Sequence, residues 1–145
     1  MICPDPDKIV VTEGAEGTVT GESNIVDEMP MIVAEGPVVP AVPGFGFTVQ
    51  GVLEPGAAPY SVTIVFEHPP MGPDGVTRQT VLRPPSGPGP FHRGYSFDYP
   101  VELVPGPWTI TVTAGEELIL RADFTVVPES ARPDLVALCS GPALS

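Results

Sequence analysis

Lysine is almost missing from this chain: Lys8 is the only one, and 6 basic residues in all stand against 18 acidic ones, a formal net charge of −12. Such a surface repels phosphate backbones and anionic headgroups, which argues against nucleic acid and direct membrane contact as partners. Long apolar runs are missing too, and none approaches the roughly 20 residues of a transmembrane helix. Nor does a basic segment followed by an apolar one precede Pro4-Asp5-Pro6-Asp7. Either the chain works in the cytoplasm, or a leader has been removed from a periplasmic or secreted protein. Histidine occurs only as His68 and His92, so sites built from two or three imidazoles have little to draw on. The spacings H-x-x-x-H, C-x-x-C and G-x-S-x-G are absent, as are a glycine-rich phosphate loop and an EF-hand. Asp5-Pro6-Asp7 and Pro73-Asp74-Gly75 make calcium the least implausible metal, though without the EF-hand pattern, and acidic pairs such as Glu116-Glu117 are too common in so acidic a chain to mark acid–base work. No catalytic apparatus and no cofactor are expected.

What is abundant is proline and glycine, 21 and 16 residues. They fall between apolar runs and rarely inside them, which is how turns are distributed in an all-β protein. The runs themselves alternate with period two, placing apolar side chains on one face of a strand. Val62, Ile64 and Phe66 alternate with Ser61, Thr63 and Val65. Trp108, Ile110 and Val112 alternate with Thr109, Thr111 and Thr113, and after Gly115-Glu116-Glu117 the pattern resumes at Leu118, Leu120, Ala122, Phe124 and Val126. Two further strands are predicted, one with Phe45, Phe47, Val49, Gly51 and Leu53 on one face, the other with Tyr95, Phe97, Tyr99, Val101 and Leu103, interrupted at Pro100. Val76–Leu82 and Lys8–Thr12 read as shorter strands, and a strand is expected around residues 30–34. Pro84 to Arg93 reads as a linker or exposed loop, and Pro133 to Leu138 as one helical turn.

The length of 145 residues is that of one domain. Its expected plan is an all-β, immunoglobulin-like antiparallel sandwich of about seven to nine strands. A core sandwich at about 44–127 is joined by irregular or edge strands at 13–43 and a C-terminal tail at 128–145. Leu103-Val104-Pro105-Gly106-Pro107-Trp108 sharpens that reading: an apolar residue and a Pro/Gly corner lead to an aromatic that opens the penultimate strand.

The segments Phe45-Gly46-Phe47, Phe66-Glu67-His68-Pro69-Pro70-Met71, Gly94-Tyr95-Ser96-Phe97-Asp98, Glu102-Leu103-Val104-Pro105-Gly106-Pro107-Trp108-Thr109 and Asp123-Phe124-Thr125-Val126 carry a resemblance. Together they resemble a bacterial family of small domains of unknown function, marked by a His-Pro pair, then E-L-V-P-G-x-W-T, then a closing F-x-V. The similarity covers roughly residues 44–127. Where that family commonly has a tryptophan before the Glu-Leu pair, this chain has Val101. The resemblance implies the sandwich fold and export in Gram-negative bacteria, and brings no catalytic residues with it.

From the residues, the favoured role is a non-enzymatic binding or structural module of the cell envelope. It would recognise an unidentified protein partner through loops 68–75 and 84–94, with Glu67, His68, Met71, His92 and Asp98 as binding candidates, and substitution of His68 and Met71 would leave the fold intact. The alternative is a small-ligand or metal-binding domain centred on His68 with Glu67 or Asp98. Against that stands the plainer reading that His68 ends a strand and bonds loop backbone. Trp108, Tyr95, Phe97 and Tyr99 could stack on a sugar, but their register favours core packing. Cys3 and Cys139 lie near opposite ends, and a sandwich can bring its ends together. A disulfide there and two free thiols are both compatible with the sequence, and the former favours an oxidising compartment.

Overall fold

The computed structural model describes residues 1–4, 10–14, 17–20, 22–26, 30–53, 60–86 and 89–140. Nine strands run through them: β1 (Val10–Gly14), β2 (Glu22–Val26), β3 (Val38–Pro40), β4 (Gly46–Leu53), β5 (Tyr60–Met71), β6 (Val76–Ser86), β7 (Gly89–Ser96), β8 (Gly106–Ala114) and β9 (Glu117–Val127). One helix, α1 (Pro133–Ser140), follows. A five-stranded sheet has the order β3-β9-β8-β5-β6, a second sheet pairs β4 with β7, and β1 pairs β2 separately. All pairs are antiparallel except β3 with β9, where Val39 lies beside Val126 in a parallel match. Ile2 bridges both Ile32 and Gly46, so the chain borders the β4–β7 sheet before crossing to the far edge of the larger one.

The two sheets meet through their alternating apolar faces. Phe47 of β4 stacks on Phe124 of β9 at 4.2 Å and meets the edge of Trp108 at 6.0 Å. Phe97 approaches Trp108 from the other side at 5.6 Å. Phe47, Phe97 and Trp108 are all 0 % exposed. Each large ring removed from water contributes about 2–3 kcal/mol, and edge-on aromatic pairs add up to about 1.5 kcal/mol more. These three side chains, contributed by elements far apart in sequence, tie both sheets into one immunoglobulin-like sandwich.

Several sequence expectations shift. The described residues from Pro84 to Gly94 are strand and not loop: β6 runs to Ser86 and β7 begins at Gly89. Its prolines are tolerated because β6 and β7 each border their sheet, where a missing N–H breaks no ladder. The strand predicted over 95–103 ends at Ser96, and Pro100–Glu102 form a 3-10 turn. Tyr99 is therefore exposed instead of sharing the core face of Tyr95 and Phe97. Around 30–34 there is only the bridge at Ile32, and the strand lies at β3. Leu118 faces outward, because a register shift between Val112 and Thr113 turns it to the side of Thr113. The predicted C-terminal turn extends to the eight residues of α1, whose Leu135 joins the core. Lys8 and Ile9 of the expected first strand, like Asp5 and Asp7, lie outside the described residues.

Cys3 and Cys139 are bridged, Cα to Cα 5.3 Å, so the segment beside β4 is clasped to α1. Glycine is required where strands approach most closely. A Cβ on Gly94 of β7 would lie 2.1 Å from the Phe47 carbonyl oxygen of β4. Gly106 has φ +133°, and a Cβ there would also meet Pro69 at 2.6 Å. Gly94→Ala is therefore expected to force β7 away from β4 and to lower stability by about 1–3 kcal/mol, read as a lower urea midpoint at unchanged m-value. An unshifted midpoint would refute this pairing.

Candidate functional site

β5 keeps its inward alternation through Phe66 and His68, and a register shift between Glu67 and Met71 leaves Pro70 exposed and turns Met71 into the core instead. Pro69 and Pro70 lie beyond the β5–β8 register, which ends at Glu67. β6 opposes β5 after the tight turn Gly72–Gly75 and places Gln79 across from Phe66. From the other sheet β7 contributes Tyr95. The 3-10 turn after it contributes Glu102, because Pro100 starts the turn and a glutamate two residues later reaches back to cap it.

These four polar side chains meet inside the sandwich end. Gln79 Nε2 donates to His68 Nε2 at 3.0 Å and to Tyr95 Oη at 3.0 Å, and lies 3.6 Å from Met71 Sδ. Gln79 Oε1 accepts the Val19 N–H at 2.9 Å, which fixes which way round the amide sits. Tyr95 in turn donates to Glu102 Oε2. Glu102 Oε1 accepts the N–H groups of Asp98 and Tyr99 at 3.0 and 2.9 Å. At the other end His68 Nδ1 lies 2.8 Å from the Pro69 carbonyl. A carbonyl only accepts, so Nδ1 carries the hydrogen and Nε2 is left as the acceptor that Gln79 needs. The ring sits 4.7 Å from Trp108, whose indole N–H donates to the Val104 carbonyl at 2.9 Å. Gln79 is 1 % exposed, His68 and Glu102 6 % each.

The result is a hydrogen-bond relay with a fixed direction, from Gln79 outward to His68 and through Tyr95 to Glu102. Burial holds His68 below its usual pKa, opposed by the bond to Pro69. Burial raises Glu102 above the carboxylate range, against the pull of its Tyr95 and Tyr99 bonds. Tyr95 is pushed well above the phenol range by burial and by the neighbouring Glu102 charge. Both ring nitrogens of His68 and both oxygens of Glu102 already have partners among the described residues, so a group entering there would compete with bonds already made. What it does is join β5, β6 and β7, the 98–102 turn and the segment at Val19.

The predicted binding residues scatter. His68 and Met71 come together but face the core, which corrects their expected place on a recognition loop and the expectation that substituting them spares the fold. Glu67 is exposed on the opposite face of β5, across from Arg78. His92 stands in β7 opposite Gln50. Asp98 joins through its backbone N–H. His68 and Trp108 each stood out in the sequence, but not as neighbours, whereas Gln79 was missed, although it shares with Val81 the inward register of β6.

The family profile described as "Domain of unknown function (DUF3859)" matches residues 13–126. Among solved structures, the chain is similar to an immunoglobulin-like protein from Pseudomonas aeruginosa, with TM-score 0.54 and 20% identity over 88% of this chain and 97% of that one. A search of curated proteins finds no match.

Two outcomes follow from the relay. Tyr95→Phe keeps the ring but orphans a buried Gln79 N–H and a Glu102 oxygen, at about 1–3 kcal/mol for each group, measurable by urea unfolding. The pH effect has a definite sign. With its folded pKa depressed below 6.5, His68 binds a proton more readily in the unfolded chain, so stability falls as pH drops below about 6.5 and levels off beneath the folded value. Glu102, raised above 4.5, acts oppositely: its contribution is complete below about 4.5 and is lost as pH rises through its folded value. His68→Gln retains an acceptor for Gln79 and removes the imidazole titration along with the ring's contacts to Trp108 and Pro69, a loss that does not vary with pH. Between neutral and mildly acidic pH it should lose less stability than the parent chain, and equal losses would exclude His68 as the titrating group.

Proposed function

We propose that this chain, which belongs to the DUF3859 family of domains of unknown function, is an exported, non-catalytic binding module of the bacterial cell envelope that recognises a protein partner. The observation that carries the reading is the Cys3–Cys139 bridge, which closes a loop spanning 136 positions of sequence. Disulfides persist in oxidising compartments and are rare in the cytosol. A bridge around so long a loop removes much of the unfolded chain's freedom, on the order of 5 kcal/mol in the chain-entropy account.

Recognition then falls to the sandwich end above the relay. The turn Gly72–Gly75 is exposed there, and a Cβ at Gly72 would touch both Val19 and Val101, so three segments converge. Loops fixed on a rigid scaffold are the usual carriers of binding, and the relay supplies the rigidity. With 84–94 taken up into β6 and β7, the 72–75 turn and the 97–105 segment are the surface in this reading. The stretch Glu102 to Thr109, on which the family resemblance rests most heavily, supplies both the relay carboxyl and the core indole.

The test is to isolate the protein from its native host, map its cysteines by differential alkylation and mass spectrometry, and identify cross-linked partners. A bridged protein in the envelope fraction is expected, with a partner lost on Asp74→Arg at unchanged melting temperature. Free thiols in a cytoplasmic protein would overturn the proposal. Replacing both cysteines by serine is expected to lower unfolding free energy by about 2–5 kcal/mol.

A further inference from the structure

The outward face of the five-stranded sheet is complementary to itself. Val62, Ile64 and Phe66 belong to the buried core cluster and Val65 does not, so Thr63, Val65 and Glu67 face away from that core on β5, with Val65 itself only 8 % exposed between its neighbours. The pairing registers place Thr109, Thr111 and Thr113 beside them on β8. The flanking columns are more distinctive. β6 presents Arg78, Thr80 and Leu82 in one column, level with Glu67, Val65 and Thr63. β9 presents Asp123, Arg121 and Leu118 in the other, level with Thr109, Thr111 and Thr113. Leu82 is 72 % exposed and Leu118 58 %. The charges on this face, Arg78 and Arg121 against Glu67 and Asp123, cancel, although the whole chain carries −12. Arg78 has no ion-pair partner among the described residues.

We infer that this face is the interface of a two-fold homodimer, the axis running along the strands between β5 and β8. That operation lays β6 over β9 of a second copy. Arg78 then falls opposite Asp123 of the second copy and Leu82 opposite its Leu118, each contact occurring twice as a two-fold interface requires. Within one chain Arg78 and Asp123 stand three strand spacings apart, roughly 14 Å, too far for an ion pair. The pair forms only between copies. Twisted sheets stack face to face about 10 Å apart with their strands within about 30° of each other, a geometry these columns accept. The patch is four strands wide and a few residues tall, at the low end of interface sizes, so the dimer is weak and concentration-dependent. This goes beyond the partner recognition proposed above and stands independently of it.

The experiment is sedimentation velocity on the full chain at physiological ionic strength, where the repulsion between two chains of net charge −12 is screened over long range, from micromolar to near-millimolar concentration. The expected mass rises toward twice the monomer, and Arg78→Glu or Asp123→Arg alone abolishes the rise. An equimolar mixture of the two variants restores it, because each mixed pair then places an acid opposite a base at both positions. Asp123 also accepts the Thr109 hydroxyl at 2.8 Å and lies 3.6 Å from Arg121, so the fold of that variant is checked by its melting curve. If it fails to fold, Leu82→Glu carries the test and is expected to keep the chain monomeric. A parent chain that stays monomeric throughout, a dimer indifferent to the single changes, or a mixture that stays monomeric would each overturn the inference.

Discussion

One primary amide holds this sandwich end together. The Gln79 side chain is buried among Met71, His68 and Tyr95, and it binds an imidazole, a phenol and a backbone N–H at once. Leaving a buried amide unsatisfied costs several kcal/mol, whereas a satisfied one contributes about 1 kcal/mol per bond. Every neighbour is therefore constrained to present the matching group. His68 must be neutral with its hydrogen on Nδ1, Tyr95 must donate onward to Glu102, and Val19 must come close enough to offer its N–H. A leucine of similar size would pack there, but would dictate none of this. The network acts on specificity more than on net stability, because an alternative register of β6 would leave several of these groups without partners.

That constraint explains the local architecture around it. β6 borders its sheet, and an exposed strand edge invites pairing with other chains. Here the segment at Gly17 covers part of that edge, its carbonyl accepting the Thr80 N–H at 2.9 Å while Val19 is held by Gln79. The 3-10 turn at Pro100–Glu102 is likewise there to deliver a carboxyl. Had β7 continued in register as far as Leu103, residue 102 would have faced away from Tyr95.

Most of the larger sheet was legible from alternation because its strands present one face to the core and the other to water. Thr109, Thr111 and Thr113 against Trp108, Ile110 and Val112 leave only one arrangement. The immunoglobulin-like plan followed from the series of short strands and turns, and the corner before Trp108 sharpened it. What escaped was whatever broke the period or the composition rule. Pro84, Pro85 and Pro90 suggested a loop, although proline is acceptable on a bordering strand. The bulge beside Thr113 turned Leu118 outward without any mark in the sequence. The relay was hidden for a different reason. Its members come from four segments between residues 68 and 102, and nothing local to Gln79 or Glu102 distinguishes a buried polar residue from a solvated one. Of the plainer readings of His68, a ring bonded to loop backbone at a strand end comes nearest, since Nδ1 donates to Pro69. The other ring nitrogen binds a side chain from the neighbouring strand, which no spacing rule could anticipate.

Where the polar capacity lies then limits where recognition can lie. Inside, each titratable or hydrogen-bonding side chain at the sandwich end is engaged by another, so a ligand entering there would have to displace bonds already made in a low-dielectric setting, where they are strongest. Outside, the chain is strongly acidic, and like charge keeps copies and anionic surfaces apart at long range. On such a surface the arginines are informative. There are few of them, and two stand on one sheet face, each level with or beside an acid. A surface selected only for solubility would gain nothing from that cancellation, since neutral patches favour association. The same logic separates the two surfaces. The turn at Gly72–Gly75 is shaped by the relay beneath it, whereas the sheet face is shaped by strand register alone, so a change at one leaves the geometry of the other in place.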